Sequence, residues 1–469
     1  MQVKQKPAGF VVGCLAVFFW GGIQAQEAGK PGEPKGRVFY VRQTVGEDAN
    51  DGLSPEKAWR SLSKLSAALQ AGDTAYVGPG LYRDQVQIQV DGTADKPIAL
   101  VADSTGERTG DPPGTVMITG AEAVDESVFE AGPLPGVYKA EIPYVVGGVV
   151  ELDGLQYRYL KSRTTKEHLV DGLTQVEVVS KIPATYHYDD EAKVLHLHTT
   201  DGKPPATHEI ELMRRSDGIV VVGKHFVTIV GFTFRHTADA GIRFMDGTGD
   251  CMAIGNTSYG SRQGIRVYAA TNILASGNTL FRNENSGIYL AKGSVNGVVV
   301  GNTLYENLKG ARWSSASANG LAADNTAFDN SEAGISVEST EHVRLVGNRM
   351  VNNKRAQLLA IESRPIADGN CLENRGAGQL IADLSFFERF DALAPYQRAA
   401  LRDQGSREGA CGPLPEKVDV RKLHEETTSY AEKARKILAQ AQQDRAKAAE
   451  SKSEAAGDDR VRAAEEDDN

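Results

Sequence analysis

The tripeptide Gly-Asn-Thr stands at residues 255–257, at 277–279 and again at 301–303, and this recurrence decides the fold. Looser copies continue the series around Asn325, Asn348 and Asn370, so that successive asparagines are 22, 24, 23, 23 and 22 residues apart. A Gly-Ile pair returns with the same period at 241, 264, 287 and 334, and Gly310-Ala311 replaces it once. A fixed period of this length indicates a solenoid, in which each repeat forms one turn and packs on its neighbours.

The content of one repeat predicts which solenoid forms. Each repeat holds short runs of β-branched and aliphatic residues, such as 298–300 and 335–337, separated by Gly, Asn and Ser. No repeat contains an amphipathic helical stretch, which argues against leucine-rich and helical repeats. We therefore predict an all-β, right-handed parallel β-helix whose turns pair at a spacing of about 4.8 Å.

The composition agrees with a large globular core that carries appendages. The chain has 469 residues, of which 41% are hydrophobic and 24% are charged. Its 49 glycines exceed the usual share by about half, as repeats dense in turns require. The formal net charge of −10 argues against a general nucleic-acid or anionic-membrane partner.

The first residues predict export from the cytoplasm. Residues 1–25 contain early lysines, an apolar core and a plausible cleavage site before Gln26, as a signal peptide does. An alternative is a lipid anchor at Cys14, because residues 11–14 resemble a lipobox. No other segment is apolar enough to span a bilayer. We expect a secreted, periplasmic or cell-envelope protein without an integral membrane span.

The rest of the chain divides by composition and by the repeat. The predicted parts are a linker at 26–36, an N-terminal cap with the first turns at 37–136, an inserted β-rich segment at 137–216, the main turns at 217–380, a C-terminal cap at 381–414 and a polar helical or disordered tail at 415–469. The tail carries a short apolar stripe from Leu423 to Ile437, which fits either a weak association helix or a frayed polar helix.

Two local features accompany this division. A single capping helix is predicted to begin at Ser54, with Pro55 in its first turn. Its apolar face would carry Trp59, Leu62, Leu65 and Leu69. In an oxidising compartment a Cys371–Cys411 disulfide is one option, and two reduced cysteines are the other.

The N-terminal motifs resemble a known superfamily. The motifs are Phe39-Tyr40-Val41, Asp51-Gly52-Leu53-Ser54-Pro55, Trp59-Arg60-Ser61-Leu62, Gly72-Asp73-Thr74 and Gly80-Leu81-Tyr82. They resemble the opening of secreted pectate-lyase-like right-handed β-helix proteins, and the repeats resemble the same superfamily over roughly residues 37–380. The resemblance implies a polysaccharide partner. It leaves lyase, hydrolase, epimerase and non-catalytic functions open, although the Asp-Pro-His motif of alginate epimerases is absent.

Alignment of the repeats on Gly-Ile predicts an outward-facing column. The isoleucines form an apolar column that points inward, so the next residue of each strand points outward. The outward column is Arg243, Arg266, Tyr289, Arg312 and Ser336, and its neighbour is Met245, Tyr268, Ala291, Ser314 and Glu338. Arginines bind carboxylates or sulfates through paired donors, and tyrosine rings offer flat surfaces to sugars. We predict substrate binding by Arg243, Arg266, Tyr289, Arg312 and Glu338, and a solvated charged face is the alternative.

A polysaccharide lyase is the predicted activity. β-Elimination needs a neutralised uronate carboxylate, a base for the C5 proton and a proton for the leaving oxygen, and the catalytic candidates are Lys292, Arg266 and Tyr268. The resemblance also implies calcium, for which Asp239, Asp246 and Asp250 are the nearest ligands, although the tight acidic pairs of those lyases are missing.

Two other functions remain open. A glycoside hydrolase needs two facing carboxylates, which Glu338 with Glu332, or Asp246 with a partner from the inserted segment, would supply. A non-catalytic glycan-binding or envelope solenoid needs neither.

The asparagines of the repeat are predicted to be structural. Their amides are expected to form ladders from turn to turn. The two ladders are Asn256, Asn278, Asn302, Asn325 and Asn348, and Asn283, Asn307, Asn330 and Asn353.

Overall fold

Three long sheets, mostly parallel, form the body of the protein. The computed structural model describes residues 33–440, except 152–156, 160–171, 364, 377, 384–387, 391, 394–402 and 404, and it also describes residue 443. The predicted signal segment lies outside the described residues. Among the described residues each of the three sheets has ten strands, and from Thr74–Val77 to Gln379–Asp383 the chain visits sheets one, two and three in order in every turn. Because parallel crossovers are right-handed, this is the predicted right-handed β-helix.

The strands of each sheet follow the solenoid axis. Sheet one contains Val38–Val41, Thr74–Val77, Ile98–Ala102, Val227–Val230, Gly249–Ile254, Thr271–Ser276, Val298–Val300, Leu321–Ala323, Arg344–Val346 and Ile366–Asp368. Sheet two contains Gly80–Tyr82, Val116–Thr119, Thr233–Arg235, Thr257–Tyr259, Thr279–Phe281, Thr303–Tyr305, Thr326–Phe328, Arg349–Val351, Cys371–Glu373 and Arg407–Glu408. Sheet three contains Val86–Ile88, Asp217–Val222, Ala240–Met245, Gln263–Tyr268, Ser286–Ala291, Lys309–Trp313, Ala333–Glu338, Ala356–Ile361, Gln379–Asp383 and the antiparallel Glu388–Phe390.

The core is a set of straight apolar columns inside the coil. Parallel pairing stacks Ile242 on Ile265 and Ile265 on Ile288. Ala311 and Ile335 continue the column, and all five side chains are fully buried. Removal of this surface from water is the main favourable term in folding.

Buried asparagines connect the turns at the corner between sheets one and two. The Asn302 amide donates to the Ala275 carbonyl at 3.0 Å and to the Asn325 side-chain oxygen at 2.9 Å. Its own oxygen accepts from the backbone and side-chain nitrogens of Asn278, each at 2.9 Å. The pattern repeats from Asn256 to Asn370. The predicted structural role of these asparagines agrees with these contacts.

The N-terminal cap differs from the single predicted helix. A 3-10 helix, Pro55–Lys57, is capped by Ser54, and a separate α-helix spans Ser63–Ala68. The prediction of one helix is wrong because Trp59 lies between them in a β-bridge to Val41, and its backbone N–H donates to the Tyr40 carbonyl at 3.0 Å. The apolar face still covers the end of the core, and its four residues are buried there: Trp59, Leu62, Leu65 and Leu69.

The inserted segment leaves the solenoid between sheets two and three. The chain departs after Val116–Thr119 and returns at Asp217–Val222, so the excursion already includes Ala121–Ala123, ahead of residue 137. One of its sheets contains Ala121–Ala123, Gly148–Glu151 and Ile210–Met213. The other contains Glu130–Ala131, Val137–Glu141, Arg158–Tyr159, Thr185–Asp189 and Val194–His198. Its helices are Glu126–Val128, Gln175–Val179 and Pro205–Thr207. The segment has a hydrophobic core of its own.

The C-terminal segment covers the outer face of sheet two. Four aromatic rings stack there with centroids 4.8–5.0 Å apart: Tyr259, Phe281, Tyr305 and Phe328. Val420 packs against this ladder, and residues 420–440 are helical. Tyr430 donates to the Pro112 carbonyl at 2.7 Å.

Two features predicted for this segment can be compared with its packing. Of the apolar stripe, Thr427, Tyr430 and Ala434 are buried, so this part of the stripe is a packing face within the chain. Cys371 and Cys411 form a disulfide. Within the described part of the chain, no helix combines the length and apolarity needed to cross a bilayer.

Replacement of one ladder asparagine tests the constraint between turns. Asn302→Ala leaves buried donors and acceptors on neighbouring turns without partners, so we expect a loss of about 2–4 kcal/mol in the free energy of unfolding. Asn285→Ala is the control, because the half-buried Asn285 side chain accepts one bond, from Ser286, and its loss costs under about 1 kcal/mol. Urea denaturation measures both, and equal losses would show that the ladder is not special.

Candidate functional site

The strand register places the predicted outward residues side by side on sheet three. Arg243 pairs with Arg266, Arg266 with Tyr289, and Tyr289 with Arg312. Ser336 follows in the next turn. The first four side chains thus lie one per turn along about 14 Å of the outer face. We call this outer face of sheet three, with the residues named below, the candidate groove.

Two buried aspartates hold the first two arginines. Arg243 Nη2 lies 2.7 Å from Asp217 Oδ2, and its Nη1 lies 3.4 Å from Asp239 Oδ2. Arg266 also pairs with Asp239. Asp217 is fully buried, whereas the two arginine side chains keep 21% and 16% of their surface exposed. The arginines are therefore fixed in place before any ligand binds.

A second ion cluster lies further along the same face. Glu338 accepts from Lys309 Nζ at 2.6 Å, from Arg312 Nε at 3.0 Å and from the Ser336 hydroxyl. Lys309 also lies 3.3 Å from Glu332. Glu338, which was predicted to bind substrate, is buried and acts here as the anion that positions Arg312.

A pair of tyrosines separates the two ion clusters. The rings of Tyr268 and Tyr289 meet edge to face with centroids 5.3 Å apart. The Arg266 guanidinium carbon lies 3.8 Å from the Tyr268 centroid, and Lys292 Nζ lies 5.1 Å from it. Arg312 lies 4.8 Å from the centroid of Tyr289. The three candidate catalytic residues, Lys292, Arg266 and Tyr268, are thus neighbours, and Lys292 is exposed.

Burial and charge shift the pKa of three groups in the candidate groove. Burial raises the pKa of Asp217 to about 6, against the opposing effect of Arg243. Burial likewise raises the pKa of Tyr268, and a hydrogen bond to Tyr289 adds to the shift. Burial also acts on Glu338, but hydrogen bonds from Lys309 and Ser336 outweigh it and hold the Glu338 pKa below its usual value. Tyr268 therefore stays a protonated phenol over a wide pH range.

Asp217 and Lys309 complete the clusters but were missed from the sequence. Both occupy the position directly before the repeated Gly-Ile or Gly-Ala pair, as Asp217-Gly218-Ile219 and Lys309-Gly310-Ala311 show. The strand register confirms the position, because Asp217 pairs with Ala240 and Lys309 pairs with Ser286. An alignment of that column would have found both residues. The pairing of each arginine with an acid was not predicted, because the acids come from a corner or from another turn.

The predicted calcium ligands do not form a cluster. Asp239 is held by the two arginines, Asp246 is exposed, and Asp250 accepts from the Asn272 amide at 2.8 Å. Among the residues that the structure describes, no group of three or more His, Cys, Asp or Glu side chains is arranged to hold a metal. Calcium dependence stays a prediction.

The pKa of Asp217 predicts a pH effect on stability. An unfolded aspartate has a pKa of about 3.9, so the native state binds this proton more tightly and loses stability as pH rises from about 4 to about 6. Asp217→Asn removes the effect. The unfolding free energy of the Asp217→Asn variant, measured relative to that of the wild type, should therefore rise by about 2 kcal/mol as pH increases from about 4 to about 6.

Urea denaturation at several pH values measures this difference. Asp51→Asn, at a half-exposed aspartate outside the candidate groove, is the control. A relative stability of Asp217→Asn that is constant or falls with pH contradicts the assignment.

One family model matches part of the chain. Residues 194–359 are similar to the family described as periplasmic copper-binding protein (NosD), which is less than half of the 469 residues. Copper sites use Cys, Met and His ligands. Cys371 and Cys411 are bonded to each other, and Cys251 is buried. Among the residues that the structure describes, no group of three or more His, Cys, Asp or Glu side chains is arranged to hold a metal, so we derive no step through copper.

Solved structures share the fold at low sequence identity. XylC in complex with xylose is similar with a TM-score of 0.55 at 15% identity, over 74% of this chain and 68% of that chain. Pectate lyase Pel9A is similar with a TM-score of 0.45 at 11% identity, over 81% and 82%. An alginate lyase from Paenibacillus sp. str. FPU-7 is similar with a TM-score of 0.43 at 9% identity, over 80% of this chain and 97% of that chain. No curated protein sequence matches significantly. At these identities the similarity shows the fold alone, and the chain has the right-handed parallel β-helix fold of the pectate-lyase-like proteins.

Proposed function

We propose that the protein is exported, binds an acidic polysaccharide along the candidate groove and cleaves it by β-elimination. The observation that carries the proposal is the cluster of Arg266, Tyr268 and Lys292, in which two cations lie within 3.8 and 5.1 Å of the centroid of one phenol ring. These are the three groups that an elimination from a uronate needs. Structures that share the fold include proteins named as lyases, and this supports the class of activity without deciding it.

The binding step rests on guanidinium groups that are already in position. An arginine has five N–H donors, so one that pairs with an aspartate still has donors for a substrate carboxylate or sulfate. Asp239 and Glu338 fix Arg266 and Arg312 on either side of the tyrosine pair. The cost of ordering these long side chains is therefore met in folding rather than in binding.

The elimination step assigns one proton to each of two side chains. Lys292, once deprotonated, accepts the C5 proton of the uronate while Arg266 stabilises the charge that develops on the carboxylate. The bond from C4 to the glycosidic oxygen breaks, a C4–C5 double bond forms, and Tyr268 donates its phenolic proton to the leaving oxygen. Because burial raises the Tyr268 pKa, the phenol remains a proton donor at the pH where a lysine becomes a base.

A second function, glycoside hydrolysis, is favoured by one observation. Asp217 and Asp239 are both held by Arg243, and burial raises the pKa of Asp217 to about 6. Two carboxyl groups in different environments suit an acid and a base. Asp217 is, however, fully buried, so a substrate reaches it only if Arg243 moves. For this reason we place elimination first.

Turnover on a panel of glycans tests the proposal. The secreted form is incubated with pectin, alginate, glycosaminoglycans and neutral glycans, with and without chelator. Ultraviolet absorbance from an unsaturated uronide supports the lyase. New reducing ends without that absorbance favour the hydrolase, and binding without any product favours a non-catalytic module. Loss of turnover in chelator would support the predicted calcium.

Three substitutions then assign roles on the active glycan. Tyr268→Phe and Lys292→Ala should each lower kcat by about 10²–10⁴-fold with little change in KM. Arg266→Ala should also raise KM, because a substrate contact is lost. Lys436→Ala is the control, since Lys436 is exposed on the C-terminal helix and pairs with Glu432. Wild-type rates for both Tyr268→Phe and Lys292→Ala would reject this mechanism.

A further inference from the structure

The C-terminal helix meets the rest of the chain at a buried cluster of charged side chains. Glu211, on the strand Ile210–Met213 of the inserted segment, accepts from Arg235 Nη2 at 3.0 Å and from Arg83 Nη2 at 3.2 Å. The second oxygen of Glu211 lies 2.8 Å from His236 Nδ1. Glu211, Arg235 and His236 are buried. This carboxylate thus already pairs with two guanidinium groups and an imidazole.

The helix reaches this cluster through His424. The Nδ1 atom of His424 lies 2.8 Å from Arg235 Nη1. A guanidinium group has five N–H donors and no acceptor, so His424 Nδ1 is the acceptor and the imidazole proton lies on Nε2. A protonated imidazole carries N–H groups on both nitrogens and offers no acceptor. The contact between the helix and Arg235 therefore requires a neutral His424.

The charged groups around His424 come from four parts of the chain. They are Arg83 from the first turns, Glu209 and Glu211 from the inserted segment, Arg235 and His236 from sheet two and the turn after it, and Arg421 and Glu425 near His424 on the helix. Burial lowers the pKa of His424, and the Arg235 charge lowers it further, against the opposing effect of the two glutamates of the inserted segment. The surroundings therefore favour the neutral imidazole that the contact requires.

The other titratable groups of the cluster belong to the solenoid and the inserted segment. Burial acts to raise the pKa of Glu211, but the hydrogen bond from His236 and the charge of Arg235 outweigh it and hold that pKa well below its usual value. Glu211 therefore stays ionised near neutral pH. Burial also lowers the pKa of His236, against its hydrogen bond to Glu211. Because His424 lies on the helix and His236 does not, a substitution at His424 separates the two histidines.

The packing of the helix is sparse enough for one contact to matter. Among its described residues the buried side chains are Val420, Thr427, Tyr430 and Ala434. A cavity of about 380 Å³ lies between the helix and the first turns, and its lining residues are Gln43, Leu81, Arg83, Thr427, Thr428 and Ala431. A polar helix of this length has little stability on its own in water. Its order therefore depends on these few contacts with the solenoid.

The stretch before the helix is held independently of His424. Cys411 is bonded to Cys371. Lys417 Nζ lies 2.7 Å from a carboxylate oxygen of Glu306 and 2.8 Å from one of Asp329. These contacts retain the start of the C-terminal segment on sheet two whether or not the helix is docked.

We propose that the C-terminal helix is a pH-sensitive strap, in which protonation of His424 detaches residues 421–440 from Arg235 and from the first turns while residues 411–418 stay in place. An exposed histidine has a pKa of about 6.5, and the pKa of His424 in the docked helix is lower. The docked helix therefore binds fewer protons than the released helix. Docking is complete above about pH 6.5 and weakens as pH falls, by at most about tenfold per pH unit for one proton.

Hydrogen–deuterium exchange of the full chain between about pH 7.5 and about pH 5 tests the strap. Protection factors, which correct for the intrinsic pH dependence of exchange, are compared for residues 425–440 and for the strand Ser286–Ala291 in the same sample. Protection of the helix should fall at least about tenfold over this range, whereas the strand should stay protected. A helix that is equally protected at both pH values, or unprotected at both, overturns the proposal.

Three variants assign the effect to His424. His424→Asn keeps an acceptor near the Nδ1 position but does not titrate, so its helix should remain protected at about pH 5. His424→Arg places a permanent charge against Arg235 and should release the helix already at about pH 7.5. His342→Asn is the control, because His342 is exposed at a positive φ that asparagine adopts readily, and it should behave as the wild type. Loss of protection in His424→Asn equal to that of the wild type would reject His424 as the switch.

Discussion

The hydrogen bonding of each turn to the next is the constraint on which the structure depends. Backbone ladders join the turns along three sheets, and buried asparagines join them at the corners. A buried amide without partners is costly, so every turn must present its asparagine at the same height. The spacing of these asparagines varies between 22 and 24 residues without loss of register, because the strands keep their pairing.

Straight columns are the direct consequence. Residues at the same position of successive repeats stack on one another, so each outer face of the solenoid consists of columns of equivalent residues. The three outer faces differ because their columns differ. Sheet two has stacked rings under the C-terminal segment, sheet three has alternating charges and two tyrosines, and sheet one has mostly aliphatic side chains.

The charges of sheet three show why a column of arginines is not a free cationic surface. Each guanidinium is only partly exposed, and a charge in that position is stabilised by an acid nearby. Asp217, Asp239 and Glu338 serve this purpose for Arg243, Arg266 and Arg312. Under the proposed function, a ligand would therefore meet fixed donors within a nearly neutral face, which favours geometric recognition of a carboxylate over attraction by net charge.

The sequence by itself determined the solenoid, its inward isoleucines and the outward line from Arg243 to Arg312. Local repetition encodes these features, since period and alternation are properties of consecutive residues. It also predicted the apolar stripe of the C-terminal helix but not its partner, because Tyr430 of that stripe donates to the carbonyl of Pro112, which lies 318 residues earlier. The split of the cap at Trp59 likewise came from pairing with Val41. Only the tertiary structure decided which acid holds which arginine, because each of these ion pairs joins residues from different turns or corners of the solenoid. Which residues meet there depends on the three-dimensional path of the chain.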